Sequence, residues 1–287
     1  MTAPLPTVSR WNTYSRSRYP RLWDGCVGAW CPSLGVSGDR VPDYTRAMNW
    51  GTLTSMDPAK NWVVSSGGYA LDFDGVNDRV VTGSTYAPGT GAFSVSFWWD
   101  GRDTAQYNAL VTQRANAFNS GSDQTWLVGN GNYALGPANT KKIGVLIYTP
   151  GNYRIHLTSG DYNAGMRHYG FTATGSTVEI YVDGVAVSQG TPNTAGAYPN
   201  ITQLNSVAFG GSPGADASLL ANGIMDDVRI YSRALHSMEW RFLATRRAIA
   251  YEPAYRPAYY TETDAGGGGI TSRPYAWQSA RIIGAGR

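Results

Sequence analysis

The sequence predicts an all-β protein, a two-sheet antiparallel β-sandwich with one short C-terminal helix and extended arms at both ends. Composition is the first reason: Gly (35), Tyr (19) and Trp (10) are abundant while charged residues make up 15% of the 287 residues, the profile of short aromatic strands joined by many turns. Short alternating runs are the second, each closed by Gly, Asn, Asp or Pro, as in sandwiches or barrels with a turn every eight to twelve residues or so. The third is a scarcity of helix formers, with three Lys and four Glu in the whole chain.

The elements follow in order. Residues 1–22 carry four Arg and no acid, with Trp11, Tyr14 and Tyr19 among them, and read as a basic arm. Residues 23–248 read as one domain, because all-β sandwiches often reach about 200 residues around a single core. It opens near Cys26 and Cys31, the only cysteines, too few for a disulfide framework. Five apart on a strand, they would face opposite sides, so two reduced, partly buried thiols are expected rather than a mutual disulfide.

In "YALDFDGVNDRVV", Tyr69 to Val81, the residues Asp72, Asp74, Asn77 and Asp78 crowd the joint between two strands. Asx-type turns satisfying local backbone donors are one reading, and a metal site is the other. Further strands are expected over 93–99, 109–113, 143–148, 153–157, 168–173 and 206–209. The clearest signal is "TVEIYVDGVAVSQG", Thr177 to Gly190, where Asp183-Gly184 suits a tight hairpin turn. That pairing sets Ile180, Val182, Val185 and Val187 on the core face and turns Glu179, Tyr181, Ala186 and Ser188 outward.

One helix is expected over Leu235 to Ile249, with Leu235, Met238, Phe242 and Ile249 as its apolar stripe along an edge of the sandwich. Residues 249–287, rich in Pro, Gly and Tyr, cannot build a core alone. Their Tyr251, Tyr255, Tyr259, Tyr260, Tyr275 and Trp277 suggest an assembly arm that orders on a neighbour, the alternative being a solvated tail.

Charge separates along the chain. Residues 241–287 hold seven Arg against Glu252, Glu262 and Asp264, and residues 23–240 carry a net −5. Basic ends flanking an acidic body suit acidic protein surfaces; nucleic acid is not the expected partner. No apolar stretch approaches the 18 or so residues that cross a membrane, and the start has no apolar core behind its positive charges, so neither membrane insertion nor a secretory signal is expected.

Catalytic chemistry finds little support. Glu179 and Asp183 do not make a hydrolase pair, since Asp183 occupies the hairpin turn and Glu179 is alone on its strand. His156, His168 and His236 lack metal-ligand spacing, and His168 reads as packed. No Gly-x-Ser-x-Gly elbow or phosphate loop occurs. Trp126, Tyr107, Tyr133, Tyr162 and Tyr198 could stack on sugars, although core or rim packing is the plainer reading of each.

Several segments together resemble a known family. "GCVGAW" (Gly25 to Trp30), "NWGTLT" (Asn49 to Thr54), "GGYALDFDGVNDRVV", "FSVSFWW", "RHYGFTATGSTVEIYVDG" (Arg167 to Gly184) and "GIMDDVRIYSRAL" (Gly223 to Leu235) are similar in order and spacing to laminin-G-like, concanavalin A-like jelly-roll domains. The resemblance covers about 24–248. It implies a jelly roll, and through relatives that hold calcium at the sandwich rim it implies a structural calcium site at Asp74 and Asp226, with Asn77, Asp78 or Asp227.

The opening "GCVGAWCPSLGVSG" and the exit "TRRAIAYEP" resemble lectin-like jelly rolls on phage virions. The expectation is therefore a non-enzymatic structural or decoration protein at a phage particle surface. Its arms would anchor it to neighbouring virion proteins, with homo-oligomers and surface-glycan binding as accompaniments. A free carbohydrate-binding lectin module is the alternative, and a glycoside hydrolase is the weakest reading because its acids are missing.

Overall fold

The computed structural model describes residues 17–102, 108–113, 125–130, 142–149, 152–161, 165–175, 177–188, 200–202, 204–213, 219–252, 259–261 and 272–274. In chain order its strands are β1 (Cys26–Trp30), β2 (Arg40–Val41), β3 (Gly51–Thr54), β4 (Trp62–Ser65), β5 (Gly68–Asp74), β6 (Arg79–Thr82), β7 (Phe93–Gly101), β8 (Asn108–Thr112) and β9 (Thr125–Asn130). They continue with β10 (Ile143–Thr149), β11 (Asn152–Leu157), β12 (Arg167–Ala173), β13 (Val178–Val182), β14 (Val185–Ala186), β15 (Ala208–Phe209), β16 (Asn222–Tyr231), β17 (Tyr259–Thr261) and β18 (Ser272–Pro274). The helices are α1 (Pro58–Asn61) and α2 (Ser237–Leu243).

Two antiparallel sheets face each other. Sheet I runs β14-β13-β12-β7-β16-β5-β4, with β1 also on β16, and sheet II runs β11-β10-β9-β8-β15-β6-β3-β2. The long β16 is the axis of sheet I. On one side it pairs with β7; on the other, β5 takes its first half and β1 its second.

Alternation decides what lies between the sheets. Phe93, Val95, Phe97 and Trp99 of β7 point inward with Tyr169, Phe171, Ile180, Met225, Val228 and Ile230, and meet Val80, Val111, Trp126, Val128, Val145 and Ile147 of sheet II. The intervening Ser94, Ser96, Trp98 and Asp100 take the opposite face of the same strand.

A second apolar cluster lies outside sheet I. Leu22, Trp23, Cys26, Ala29, Tyr181, Tyr231, Leu235, Trp240, Leu243, Ile249 and Ala250 pack there. Trp240 stacks on Tyr181 at 4.5 Å with 13° between the rings. It also lies over Gly170, where an added Cβ would come within 2.3 Å of the indole.

The Asp183-Gly184 hairpin forms as expected, with φ of 50° and 77° at its two turn residues. Tyr181 faces away from the inter-sheet core as expected and is buried there beneath Trp240, whereas Val185 is 59% exposed because β14 ends the sheet. The expected helix is shorter and differently phased: Trp240 and Leu243 face the protein, and Met238 and Phe242 face solvent. It lies over the outer face of sheet I beside its β14 edge. The packed unit also runs past the expected arm boundaries at 22/23 and 248/249, since Leu22, Ile249 and Ala250 belong to the outer cluster.

Candidate functional site

Outside sheet I the surface divides along β16. Toward the end of that strand the face is capped by β1, α2 and residues 246–252; toward its start Trp98, Asp100 and Ile224 are half-buried. A register shift between Asp226 and Arg229 turns two successive carboxylates toward the cap, with Asp227 at φ 47°. Asp226 accepts from Ser33 N–H at 3.0 Å and lies 3.3 Å from the Arg247 guanidinium. Asp227 accepts from Arg229 Nε at 2.9 Å and from Ala248 N–H at 2.9 Å. The Arg229 guanidinium sits over the rings of Trp23 and Tyr251, at 5.2 and 4.6 Å.

This network is closed to solvent. Burial, reinforced by the Asp227 charge and opposed by Arg247, pushes the Asp226 carboxyl up to about 7. Burial also pushes the Cys26 thiol up to about 12, so it is a thiol and not a nucleophilic thiolate. Both cysteines are free and buried. His168 Nε2 meets Ser96 Oγ at 2.9 Å, a nucleophile–base distance. The pair is nonetheless interior: both side chains are buried, and burial followed by the Arg229 charge holds His168 down to about 3. The cap is therefore a device for fastening the chain ends to the sandwich.

The residues implied as calcium ligands do not converge. Asp74 stands opposite Asn222 in the β5–β16 register, four residues along the strand from Asp226. Its Oδ1 accepts from the N–H groups of Val76, Asn77 and Asp78 at 2.7, 3.2 and 3.4 Å, an Asx turn. Asp78 is buried and accepts from Asn61 Nδ2 at 2.7 Å and Asp74 N–H at 3.2 Å. Asp226 and Asp227 face arginines within the cap. Among the described residues no group of three or more His, Cys, Asp or Glu side chains is placed to hold a metal ion, and Asp74 and Asp226 stand four register positions apart.

The other half of the face carries a different constellation. Asp72 and Asp100 stand in register on either side of Ile224, which places their Cα atoms about 10 Å apart across two strand spacings. Beside them on β7 lies Trp98, half-buried, its ring 5.5 Å from His168 in an edge-to-face contact. Arg102 holds both oxygens of Asp72, at 2.5 and 2.7 Å. Asp100 makes no hydrogen bond among the described residues. A partly exposed indole, an apolar Ile224 and a carboxylate that feels the Arg102 charge but accepts no hydrogen bond among the described residues thus share one shelf. It can offer a π-face and an acceptor of hydroxyl protons to a flat polar ligand.

Sequence reasoning missed this shelf, although the Ser-x-Ser-x-Trp-x-Asp alternation of β7 marks its outer face. Of the expected stacking residues, Trp126 is wholly buried in the core, and Tyr107, Tyr133, Tyr162 and Tyr198 lie outside the described residues.

Residues 74–239 match the family described as the concanavalin A-like lectin/glucanases superfamily. That is more than half of the chain, which belongs to this superfamily. A comparison with curated proteins returned no match. Among solved structures the chain is similar to domain 4 of AbnA, an extracellular GH43 arabinanase of Geobacillus stearothermophilus solved with arabinotriose. That likeness has a TM-score of 0.56 and 16% identity over 77% of this chain and 98% of that one. The receptor-binding domain of the botulinum neurotoxin C/D mosaic serotype gives a TM-score of 0.53 at 12% identity, over 77% of this chain and 51% of that one. The binding domain of Paraclostridial mosquitocidal protein 1 gives 0.54 at 15% identity, over 84% and 57%. The chain thus spans about half of the two toxin domains. At these identities the likeness concerns the fold: a lectin-like sandwich, shared by an enzyme-attached domain and by toxin binding domains.

Proposed function

We propose that the chain is a non-catalytic carbohydrate-binding module that takes glycans on the shelf of Trp98, Asp100 and Ile224. The observation that carries this is the half-buried Trp98 beside the Asp100 carboxylate, which accepts no hydrogen bond among the described residues, on the outer face of sheet I. Sugars bind through the apolar face of the ring on an indole and through hydroxyls on a carboxylate, both of which need a rigid, preformed surface. The superfamily and the arabinotriose-bound neighbour support a saccharide as the ligand class. A binding reading is favoured over hydrolysis because both oxygens of Asp72, the second carboxylate near a glycosidase separation, are taken by Arg102.

The test is a glycan array followed by calorimetry on the best hit. Trp98→Ala and Asp100→Asn should each weaken binding at least about tenfold, a loss near 1.4 kcal/mol, with melting unchanged in Asp100→Asn. Unaltered binding in both variants would remove the shelf from consideration, and reducing-end release from the bound glycan would replace binding by hydrolysis.

A second reading places this module on an assembled phage-type particle, fastened by its flanking segments and presented as a decoration protein. It is favoured by the meeting of the chain ends in the cap. Ile224 and Tyr231 lie seven residues apart on β16, so the shelf and the fastened end are separated by roughly 20 Å. A body held at one end would leave the shelf free.

A further inference from the structure

Ser17 and Glu252 lie side by side. Arg18 N–H donates to Glu252 O at 2.7 Å, Ser17 Oγ to Ala250 O at 2.7 Å, and Trp23 Nε1 to Ala250 O at 2.9 Å. Both flanking segments therefore leave the sandwich at one place. Residues 1–16 carry Arg10 and Arg16 without an acid, and residues 253–287 carry four Arg against Glu262 and Asp264. Two positively charged sequence segments thus adjoin one junction.

The surface around that junction is basic and apolar together. Arg18 and Arg246, with side chains 60% and 59% exposed, share Glu252 at 3.2 and 2.6 Å, and one carboxylate balances only one of them. Arg21 and Arg241 are exposed and form no ion pair among the described residues. On the outward side of α2, Met238 is 54% and Phe242 39% exposed, and the Tyr19 ring lies 5.4 Å from that of Phe242. Glu239, the acid of α2, is engaged by Arg233 at 2.6 Å.

We propose that this face, the outward side of α2 with Tyr19 and its four neighbouring arginines, docks on an acidic protein surface that also presents aromatic side chains. Arginine, tyrosine, methionine and phenylalanine are the residues enriched in protein interfaces, and the local charge excess selects an acidic partner and steers its approach. A phosphate backbone fits less well: Glu252 lies between two of the arginines and the exposed Asp24 is close by, while Met238 and Phe242 give phosphates nothing to bind. The proposal is independent of the glycan shelf.

The test uses the full chain and three labelled probes read by fluorescence anisotropy at low and high salt: poly-L-glutamate, a glutamate–tyrosine copolymer, and duplex DNA of matched charge. The copolymer should bind tightest and in a salt-sensitive way. The double variant Arg21→Glu/Arg241→Glu, at two exposed positions, should weaken it about tenfold or more. Phe242→Ala should remove the copolymer's advantage over polyglutamate. Arg40→Glu/Lys60→Glu, an equal charge change on exposed residues elsewhere, should stay within about twofold. Equal losses in the two double variants, no polymer binding at low salt, or tighter binding of DNA than of the copolymer would each overturn the proposal. Melting curves identify any variant that fails to fold, and Arg241→Gln alone then carries the same comparison.

Discussion

Replacing Asp226 by Asn isolates the charge that the cap buries. Asp226 is fully buried against Arg247, Asp227 and Ser33, and its carboxyl titrates near 7 in the fold against 3.8 for an ordinary Asp. A group whose folded value is raised contributes stability that is complete below its unfolded value and is lost as pH rises through the folded one. Between those two values the loss runs at about 1.4 kcal/mol per pH unit, and above pH 7, where both states are ionised, it levels off. Between pH 5.5 and 7 this carboxyl alone should therefore withdraw about 1 to 2 kcal/mol, and almost nothing further up to about pH 8.5.

The acid side has the opposite sign. His168 and His156 are held down to about 3 and about 4, both chiefly by burial, against an ordinary 6.5. Their contribution is present above pH 6.5 and is lost as pH falls below it. The two effects overlap: the histidines raise stability with pH up to about 6.5 while Asp226 lowers it up to about 7, so their sum peaks near pH 6.5. Urea denaturation at half-unit steps from pH 5.5 to about 8.5 measures both effects. Asp226→Asn should remove the fall that opposes the histidines, so that stability rises more steeply from pH 5.5 to about 6.5 and is flat above it. An unchanged slope between pH 5.5 and about 7 in that variant would refute the role given to Asp226.

Other outcomes follow from the packing. Trp240→Ala removes a fully buried indole and its stack on Tyr181 and should cost about 3 to 5 kcal/mol in urea unfolding. Gly170→Ala drives a Cβ to within 2.3 Å of that indole and 2.4 Å of Val95 O; a loss of about 1 to 3 kcal/mol is expected in the same assay. Asp74→Ala opens the turn it closes and should cost about 1 kcal/mol, equally with calcium and with chelator, by differential scanning calorimetry. Trimming to residues 17–252 should preserve cooperative melting, whereas trimming to 23–248 should lower the midpoint sharply, because it removes Leu22, Ile249 and Ala250 from the outer cluster.

The sandwich was legible where a local rule decides the structure. Asp183-Gly184 demanded positive φ, and the alternation of β7 separated Phe97 and Trp99 from Ser96 and Trp98. The cap was not legible, because its partners are more than 200 residues apart: Trp23 bonds Ala250 and Tyr231 bonds the carbonyl of Leu22. Without them the outer face of β13 looks solvent-facing, and the helix phase is drawn through Met238 and Phe242 rather than Trp240. The relative placing of the calcium candidates was illegible for a related reason. Matching segments brought Asp74 and Asp226 onto adjacent strands, but the register that puts Asn222 opposite Asp74 was invisible in the sequence.

The meeting of Ser17 with Glu252 also fixes how the molecule would bear mechanical load. A pull on the two flanks enters at neighbouring atoms and is carried first by a few hydrogen bonds between 17–23 and 250–252, broken one after another like a zip. The strands of both sheets lie outside the force path until that seam has opened. A tether strained from outside would thus yield at the seam while the ligand-bearing end of sheet I kept its shape.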